Sequence, residues 1–230
     1  MNIAVLGTGT VGQTLSARLV ELGHAVRMGT RNIAEAQTRN AKDFYGNPGI
    51  GEWIKANSGV KLATFADAMA FGQFVINATH GGNSIEALKA GDPSNLDGKI
   101  IMDIANPLDL SSGMPPVILS EYCNTTSLGE EIQKAFPQSY VVKTLNTMWC
   151  GIMVNPSMIG GGDHTNFLCG NNPEAKLEVR NLLMKFGWKD ENLIDLGDIS
   201  SSRGTELILP VWLRVMFVKH SSVFNFKIVA

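Results

Sequence analysis

Met1-Asn2-Ile3-Ala4-Val5-Leu6-Gly7-Thr8-Gly9-Thr10-Val11-Gly12 opens the chain, and its reading decides the fold. Residues 3–6 are a short apolar run with β-branched Ile3 and Val5, the pattern of a strand buried on both faces of a parallel sheet. Glycines follow at positions 7, 9 and 12, and helical spacing begins at once with Val11, Leu15, Leu19 and Leu22, closed by Gly23. Strand, G-x-G-x-x-G and helix in that order are the fingerprint of a dinucleotide-binding turn. Gly7 is expected to make the tight turn, Gly9 to let a pyrophosphate approach the backbone, and Gly12 to let helix and strand pack closely. Thr8, Thr10 and Val11 complete the turn, and the N–H groups at the positive end of the helix are expected to hold the phosphates.

Length and composition bound what surrounds this turn. The 230 residues suffice for one large α/β domain with a small C-terminal addition, but not comfortably for two domains. Nineteen basic residues face 21 acidic ones without long charge runs, so neither nucleic acid nor an anionic membrane is expected as a partner. Cys123, Cys150 and Cys169 form no C-x-x-C, and the four histidines form no H-x-x-x-H pair, so no disulfide framework and no metal site is expected. The N-terminus runs straight into a strand, without the pattern of a signal peptide. The most apolar stretch, residues 207–218, is interrupted by Pro210 and Arg214 and is short for a bilayer span. The expectation is a soluble, cytoplasmic protein.

Further along, residues 24–28 read as a second strand ending in Gly29-Thr30-Arg31-Asn32. An NAD site normally places Asp or Glu here for the ribose hydroxyls; Thr30 and Arg31 instead suit the 2′-phosphate of NADP, to which a guanidinium fork is matched in shape and charge. Asn32 is a candidate N-cap for a helix to Ala41, and residues 43–59 are a turn-rich excursion with one amphipathic turn at Trp53 and Ile54. Strands are expected at 60–63, 74–78, 99–104, 140–143, 166–169 and 193–196, with caps at Thr64 and at Ser127, the latter spaced as a capping box with Glu130. The sum is a Rossmann-type, doubly wound, mostly parallel α/β sheet, whose ligand lies outside the carboxyl ends of the strands. Those ends deliver Ala78-Thr79-His80-Gly81-Gly82, Ala105-Asn106-Pro107 and Thr144-Leu145-Asn146, with Pro107 restricting Asn106 to an extended shape.

No proton-relay motif stands out at that edge. Tyr140 and Lys143 are three apart on a strand rather than four apart on a helix, and neither G-x-S-x-G nor H-E-x-x-H occurs. His80 is a weak candidate for a general acid or base, with a steric or hydrogen-bonding wall as the alternative. Asp163-His164 reads as turn chemistry. A final helical segment from Ser201, broken at Pro210 and re-entered to about Lys219, is apolar nearly all round and is expected to be buried in its own domain or against a second subunit.

Taken together, Gly7-Thr8-Gly9-Thr10-Val11-Gly12, Gly29-Thr30-Arg31, Asn77-Ala78-Thr79, Asp103-Ile104-Ala105-Asn106-Pro107, Val142-Lys143-Thr144-Leu145-Asn146-Thr147, Cys169-Gly170, Phe186-Gly187-Trp188, Asp195-Leu196-Gly197-Asp198, Arg203-Gly204-x-Glu206 and Phe224-Asn225-Phe226-Lys227 resemble bacterial members of the coenzyme F420-dependent NADP oxidoreductase family. The cytoplasmic domain of the STEAP metalloreductases is similar in its Val-Lys-x-x-Asn and Asn-Pro motifs. The resemblance implies hydride transfer between NADPH and a deazaflavin (F420) or a flavin (FMN or FAD) by ring stacking. It implies the pyrophosphate on residues 7–12, the 2′-phosphate on Thr30 and Arg31, the ribose region beside Ala78, Thr79 and His80, and the nicotinamide end at Asn106, Pro107 and Asn146. The archaeal F420 enzymes carry an extra glycine missing here, and Thr79-His80-Gly81-Gly82 replaces a bulkier sequence there. The expected organisation is an NADP-binding domain over residues 1–200 and a C-terminal helical segment over 201–230, in a homodimer acting on a small-molecule electron acceptor. The competing reading is an NADP-binding sensor or redox-partner module without turnover of its own.

Overall fold

The computed structural model describes residues 1–43, 46–111 and 113–229. Two residues of the expected 43–59 excursion, Phe44 and Tyr45, lie outside it, as do Ser112 and Ala230. In chain order, β1 (Asn2–Leu6) leads into α1 (Thr10–Glu21), β2 (Ala25–Thr30), α2 (Ile33–Thr38), α3 (Ile50–Ala56), β3 (Val60–Thr64), α4 (Phe65–Phe71) and β4 (Phe74–Asn77). Then come α5 (Ser84–Lys89), β5 (Ile100–Asp103), a small ribbon of β6 (Leu108–Asp109) and β7 (Val117–Ile118), α6 (Leu128–Ala135), β8 (Tyr140–Thr144) and α7 (Cys150–Val154). The chain closes with β9 (Asn166–Gly170), α8 (Pro173–Phe186), β10 (Leu193–Asp195) and α9 (Ser202–Lys219).

Eight strands form one sheet in the order β10-β9-β8-β5-β4-β1-β2-β3, parallel at every pairing except β8 with β9. The strand period of two splits the apolar runs between the faces. Ile3 and Val5 point into the core with Leu15 and Leu19, whereas Ala4 and Leu6 point into the opposite core with Val75 and Ile101. Because β1 pairs with β2 on one side and β4 on the other, the strand order reverses there, and a crevice opens above the carboxyl ends of β1 and β4.

Local chemistry starts several helices as expected. Asn32, Thr64 and Ser127 each accept a bond from the backbone N–H three residues on, and Asn172, a cap the sequence reading did not name, does the same at the start of α8. The capping box at Ser127 is only half made: its hydroxyl accepts from Glu130 N, but the Glu130 carboxylate takes that hydroxyl's proton and the Arg203 guanidinium instead of reaching back to the chain. Their pairing holds the Glu130 carboxyl below its usual value.

The C-terminal region differs from its expected shape in two ways. First, α9 is one continuous helix with Pro210 inside it. Proline costs the bond to the carbonyl four residues back, yet packing on both sides of it holds the helix together: Glu206 before, and Leu209, Trp212, Leu213 and Met216 around and after it, are buried. The helix ends at Lys219, where its end was expected, and the rest of the described chain, the remainder of the 201–230 segment, follows it as a strap without helix. Phe224 stacks on Trp212, Asn225 Nδ2 donates to His164 Nδ1 and Thr165 O, and Phe226 O accepts from Thr165 N. With Nδ1 accepting, His164 Nε2 must carry the proton it donates to Pro156 O. Second, α9 is not buried all round: Leu207, Val211 and Val218 remain 42, 55 and 81% exposed on the face away from the core.

One cluster ties α9 to the sheet. Lys143, on β8, is fully buried with its Nζ 2.8 Å from Asp103 Oδ2 on β5 and 2.8 Å from Glu206 Oε1 on α9, and it donates to Ala105 O at 2.6 Å. Burial alone would lower its pKa, but the two carboxylates outweigh burial and hold it above the ordinary lysine value. Glu206 in turn accepts from Leu128 N and Gly129 N, at the positive end of α6. Lys143→Met should therefore cost about 3–5 kcal/mol in urea unfolding, because it leaves two buried carboxylates without their cation. A loss under about 1 kcal/mol would show that the pair is not needed for the fold. Among the described residues, no helix is long and apolar enough to cross a membrane.

Candidate functional site

The three glycines of the first turn differ in what a side chain would meet. Gly7 has φ +114°, which L side chains rarely adopt, and a Cβ there would lie 2.4 Å from Ala78 O. A Cβ on Gly12 would sit 2.2 Å from Gly7 O, so the first turn of α1 packs directly on the loop below it. Gly9 is unlike both. Its φ of −74° and ψ of 177° suit any residue, and nothing lies within 4 Å of where its Cβ would be. The protein's own packing gives no reason for glycine there, and the space beside it is open to a ligand. Gly9 is also the N-cap of α1 and offers no side-chain bond, and no acid stands in the first helical turn, whereas α2, α4, α6 and α8 are capped by their own side chains. The free N–H groups and dipole of α1 thus face open space suited to an anion.

That space is a cleft of about 520 Å³ over the switch point. Gly7, Thr8 and Gly9 form its floor; Thr30 and Arg31 stand at the end of β2, and Ala78, Thr79 and His80 at the end of β4. Thr30 is buried and Arg31 exposed, so the hydroxyl is fixed while the guanidinium is free to close on a ligand. Two carboxylates, Glu35 and Glu86, line the cleft as well, so acid is absent from the position after β2 but not from the whole wall. A second cavity of about 370 Å³ adjoins the first at Thr8, Gly9 and Arg39 and takes in Thr10. Arg39 Nη2 donates to Thr8 Oγ1 at 2.8 Å, and Thr10 Oγ1 donates to Asp43 at 2.7 Å, so the segment after α2 is strapped onto the glycine turn. Arg39 is a second guanidinium on the walls of both cavities that the motif reading missed; it follows α2 with no local signature. Val11 and Gly12 lie in the first turn of α1 rather than on either cavity wall.

Asn106, Pro107 and Asn146 are at the same sheet edge but not on the wall of either cavity. The two asparagines are locked together, Asn106 Nδ2 donating to Asn146 O at 2.8 Å and Asn146 Nδ2 to Asn106 Oδ1 at 3.0 Å. Asn106 O accepts from Gly81 N, and a Cβ on Gly81 would lie 2.3 Å from that oxygen, so the pair is pressed against the turn that carries His80. Leu145 just before Asn146 has φ +59°, a strained value for a leucine. The buried face of α9, with Trp149 and Leu108, walls this end of the edge. His80 is exposed, and among the described residues no acidic side chain is bonded to it, so no acid–base pair of the usual kind is formed there.

Behind the cleft wall runs a polar network that the motif reading did not assemble. Asn77 Nδ2 bonds Asp103 Oδ1 and Ser84 Oγ, Asn77 Oδ1 receives Thr79 Oγ1, and Asp103 continues to Lys143 and Glu206. A sequence signal existed: Asp103 and Lys143 each end or interrupt an otherwise apolar strand, and a charge in such a place needs a partner.

Comparison with known proteins agrees with this geometry. The family described as "NADP oxidoreductase coenzyme F420-dependent" matches residues 2–107. The crystal structure of a protein from Arthrobacter sp. FB24, provisionally described as an F420-dependent NADP reductase, is 48% identical, covers 100% of both chains and superposes with a TM-score of 0.93. Metalloreductase STEAP3 of Rattus norvegicus is 25% identical over 217 residues, 91% of this chain but 37% of that protein, so the chain spans little more than a third of the length of this curated relative. An imine reductase of Aspergillus terreus, solved with NADPH4, shares the fold at 17% identity and a TM-score of 0.60 over 95% of this chain and 63% of its own.

The glycine geometry separates two substitutions. Gly9→Val should fold with wild-type thermal stability and lose NADPH binding in a fluorescence titration, whereas Gly12→Val should lower the unfolding midpoint by colliding with Gly7 O. Retained NADPH affinity in Gly9→Val would place the pyrophosphate elsewhere.

Proposed function

The chain belongs to the coenzyme F420-dependent NADP oxidoreductase family, and from that premise we propose that it transfers a hydride between NADPH and a deazaflavin or flavin acceptor whose ring stacks on the nicotinamide. The observation that carries the reading is the open space at Gly9 beside an uncapped α1, with Arg31 at the end of the neighbouring strand. In this reading the N–H groups of α1 bind the pyrophosphate, and Arg31 with Thr30 binds the 2′-phosphate by charge-assisted bonds. Arg39, already held over the turn by Thr8, adds a second cation for the phosphates. Ala78, Thr79 and His80 flank the sugars, and Asn106, Pro107 and Asn146 hold the nicotinamide end.

NADPH, when bound, supplies the hydride. The protein's part is placement: two flat rings held with the reacting carbons about 3–3.5 Å apart need little more, since orientation supplies most of the acceleration. An edge built of amides and hydroxyls with no acid–base pair fits a reaction in which no side chain has to move a proton. His80 serves in this reading as a wall.

We also propose that a second copy packs on α9. Leu207, Val211 and Val218 are the exposed apolar members of one stripe, with exposed Arg214 among them, and two identical helices crossing there would interlock their ridges and carry the arginines to the rim. Val211→Glu should convert a dimer to a monomer in sedimentation equilibrium; a wild-type protein already monomeric at micromolar concentration would refute the interface.

The central experiment mixes purified protein and NADPH with F420, FMN or FAD in turn and follows loss of the reduced nicotinamide. Oxidation with one of them identifies the acceptor; tight NADPH binding with no turnover on any leaves the sensor reading. In the same assay, Arg31→Ala should weaken NADPH by about 1.5–3 kcal/mol while barely changing NADH. Equal losses for both would remove the 2′-phosphate from Arg31.

A further inference from the structure

Thr79 stands on the cleft wall, and the bonds behind it leave its hydroxyl proton one direction. Asn77, Ser84 and Asp103 are fully buried. Asn77 Nδ2 is 2.7 Å from Asp103 Oδ1, and a carboxylate paired with Lys143 only accepts, so the amide nitrogen must face Asp103 and the amide oxygen must face Thr79. That oxygen accepts as well. Thr79 Oγ1, 2.7 Å away, therefore gives its single proton inward to Asn77. Ser84 Oγ, 2.8 Å from Thr79 Oγ1, must then be the donor in that contact, while it accepts the second hydrogen of Asn77 Nδ2 at 3.0 Å. What remains to Thr79 on the side of the cleft is one oxygen lone pair.

We propose that Asp103 and Lys143 are positioning residues that act through Asn77 to make Thr79 an acceptor-only group, and that this acceptor takes the O–H of a ribose hydroxyl of the dinucleotide. The inference rests on the cleft being the NADP site. It adds a sorting rule within that site. A lone pair attracts a sugar hydroxyl and repels phosphate oxygens, whereas the N–H groups of α1 do the reverse, so the two walls together fix how far along the cleft the cofactor sits. Lys143 and Glu206 belong to the device because they keep Asp103 in place and paired; the far end of the chain of bonds is α9.

The test measures NADPH dissociation constants and thermal midpoints on the same samples for Thr79→Val, Thr79→Ser, Asp103→Asn and the Thr79→Val/Asp103→Asn double variant. Thr79→Val should raise the dissociation constant roughly 5- to 10-fold with little change in midpoint, and Thr79→Ser should restore it. Asp103→Asn should weaken NADPH by a similar factor when Thr79 is present and by less than about twofold when it is Val, although its loss of midpoint persists in both backgrounds. A merely structural role for Asp103 would give the same binding loss in both backgrounds, and that result, or a dissociation constant unmoved by Thr79→Val, overturns the proposal. If Asp103→Asn does not fold, Ser84→Ala decides beside the two Thr79 variants: it removes a donor behind Thr79 but spares the acceptor, so NADPH binding should not weaken, and a loss beyond about threefold overturns the proposal. Gly9→Val in the same titration keeps the two readings apart. NADPH lost there with no effect at Thr79 ends this inference alone, and NADPH retained there ends the assignment of the cleft.

Discussion

A lysine with no exposed surface, held between two carboxylates, is the constraint on which the rest of this protein depends. Lys143 connects β5 through Asp103, α9 through Glu206 and the turn after β5 through Ala105 O. The cluster carries one more negative than positive charge, and the excess is met by the N–H groups opening α6. Burying charge is expensive unless every lone pair and proton is matched, and here each member has at least two partners. The outcome is geometric: the turns carrying Thr79, Asn106 and Asn146 are set by bonds running beneath them and are not left to loop sampling.

The cleft above that base owes its character to what is missing from it. Backbone close approach accounts for glycine at positions 7 and 12, whereas at 9 the protein's own packing leaves open space that any side chain could fill. A helix that leaves its first N–H groups without a side-chain cap tolerates the deficit at a surface wetted by water, or gains from a bound anion. Arg31 and Arg39 both line the cleft over that turn, and they share it with the carboxylates of Glu35 and Glu86, while Asp43 is bonded to Thr10 at the start of α1, so the two cations offset acid already present where phosphate would lie.

Legibility in the sequence followed the range of the interaction. The first strand, its glycine turn and α1 are local objects, and the tight turn at Gly7 and the close packing at Gly12 could be read from spacing alone. The same holds for the caps at Asn32 and Thr64, where one side chain satisfies a backbone group three residues away. Pro210 misled because its local cost is outweighed by packing that α9 makes outside its own turn, against Leu108, Trp149 and the Phe224 and Phe226 rings of the strap. The strap after Lys219 escaped notice for a similar reason: its bonds go to His164 and Thr165, and nothing in its own composition announces them. Lys143, Asp103 and Glu206 sat inside recognisable motifs, yet their meeting is a property of strand order, which brings β5 beside β8 only after the sheet is assembled.

The polarity of the site follows from the same buried charges. Asn106 and Asn146 spend their amides on each other and on backbone, and Thr79 spends its proton on Asn77. Side chains so committed are poor proton shuttles, because releasing one proton would force every neighbour in the chain of bonds to reorient. They are good walls for the opposite reason, being held in one arrangement before any ligand arrives. A reaction that moves a hydride between two stacked rings asks for such walls and for nothing that titrates. The fit between a fully assigned network of hydrogen bonds and a chemistry needing only orientation is therefore the physical link from the buried lysine to the proposed activity.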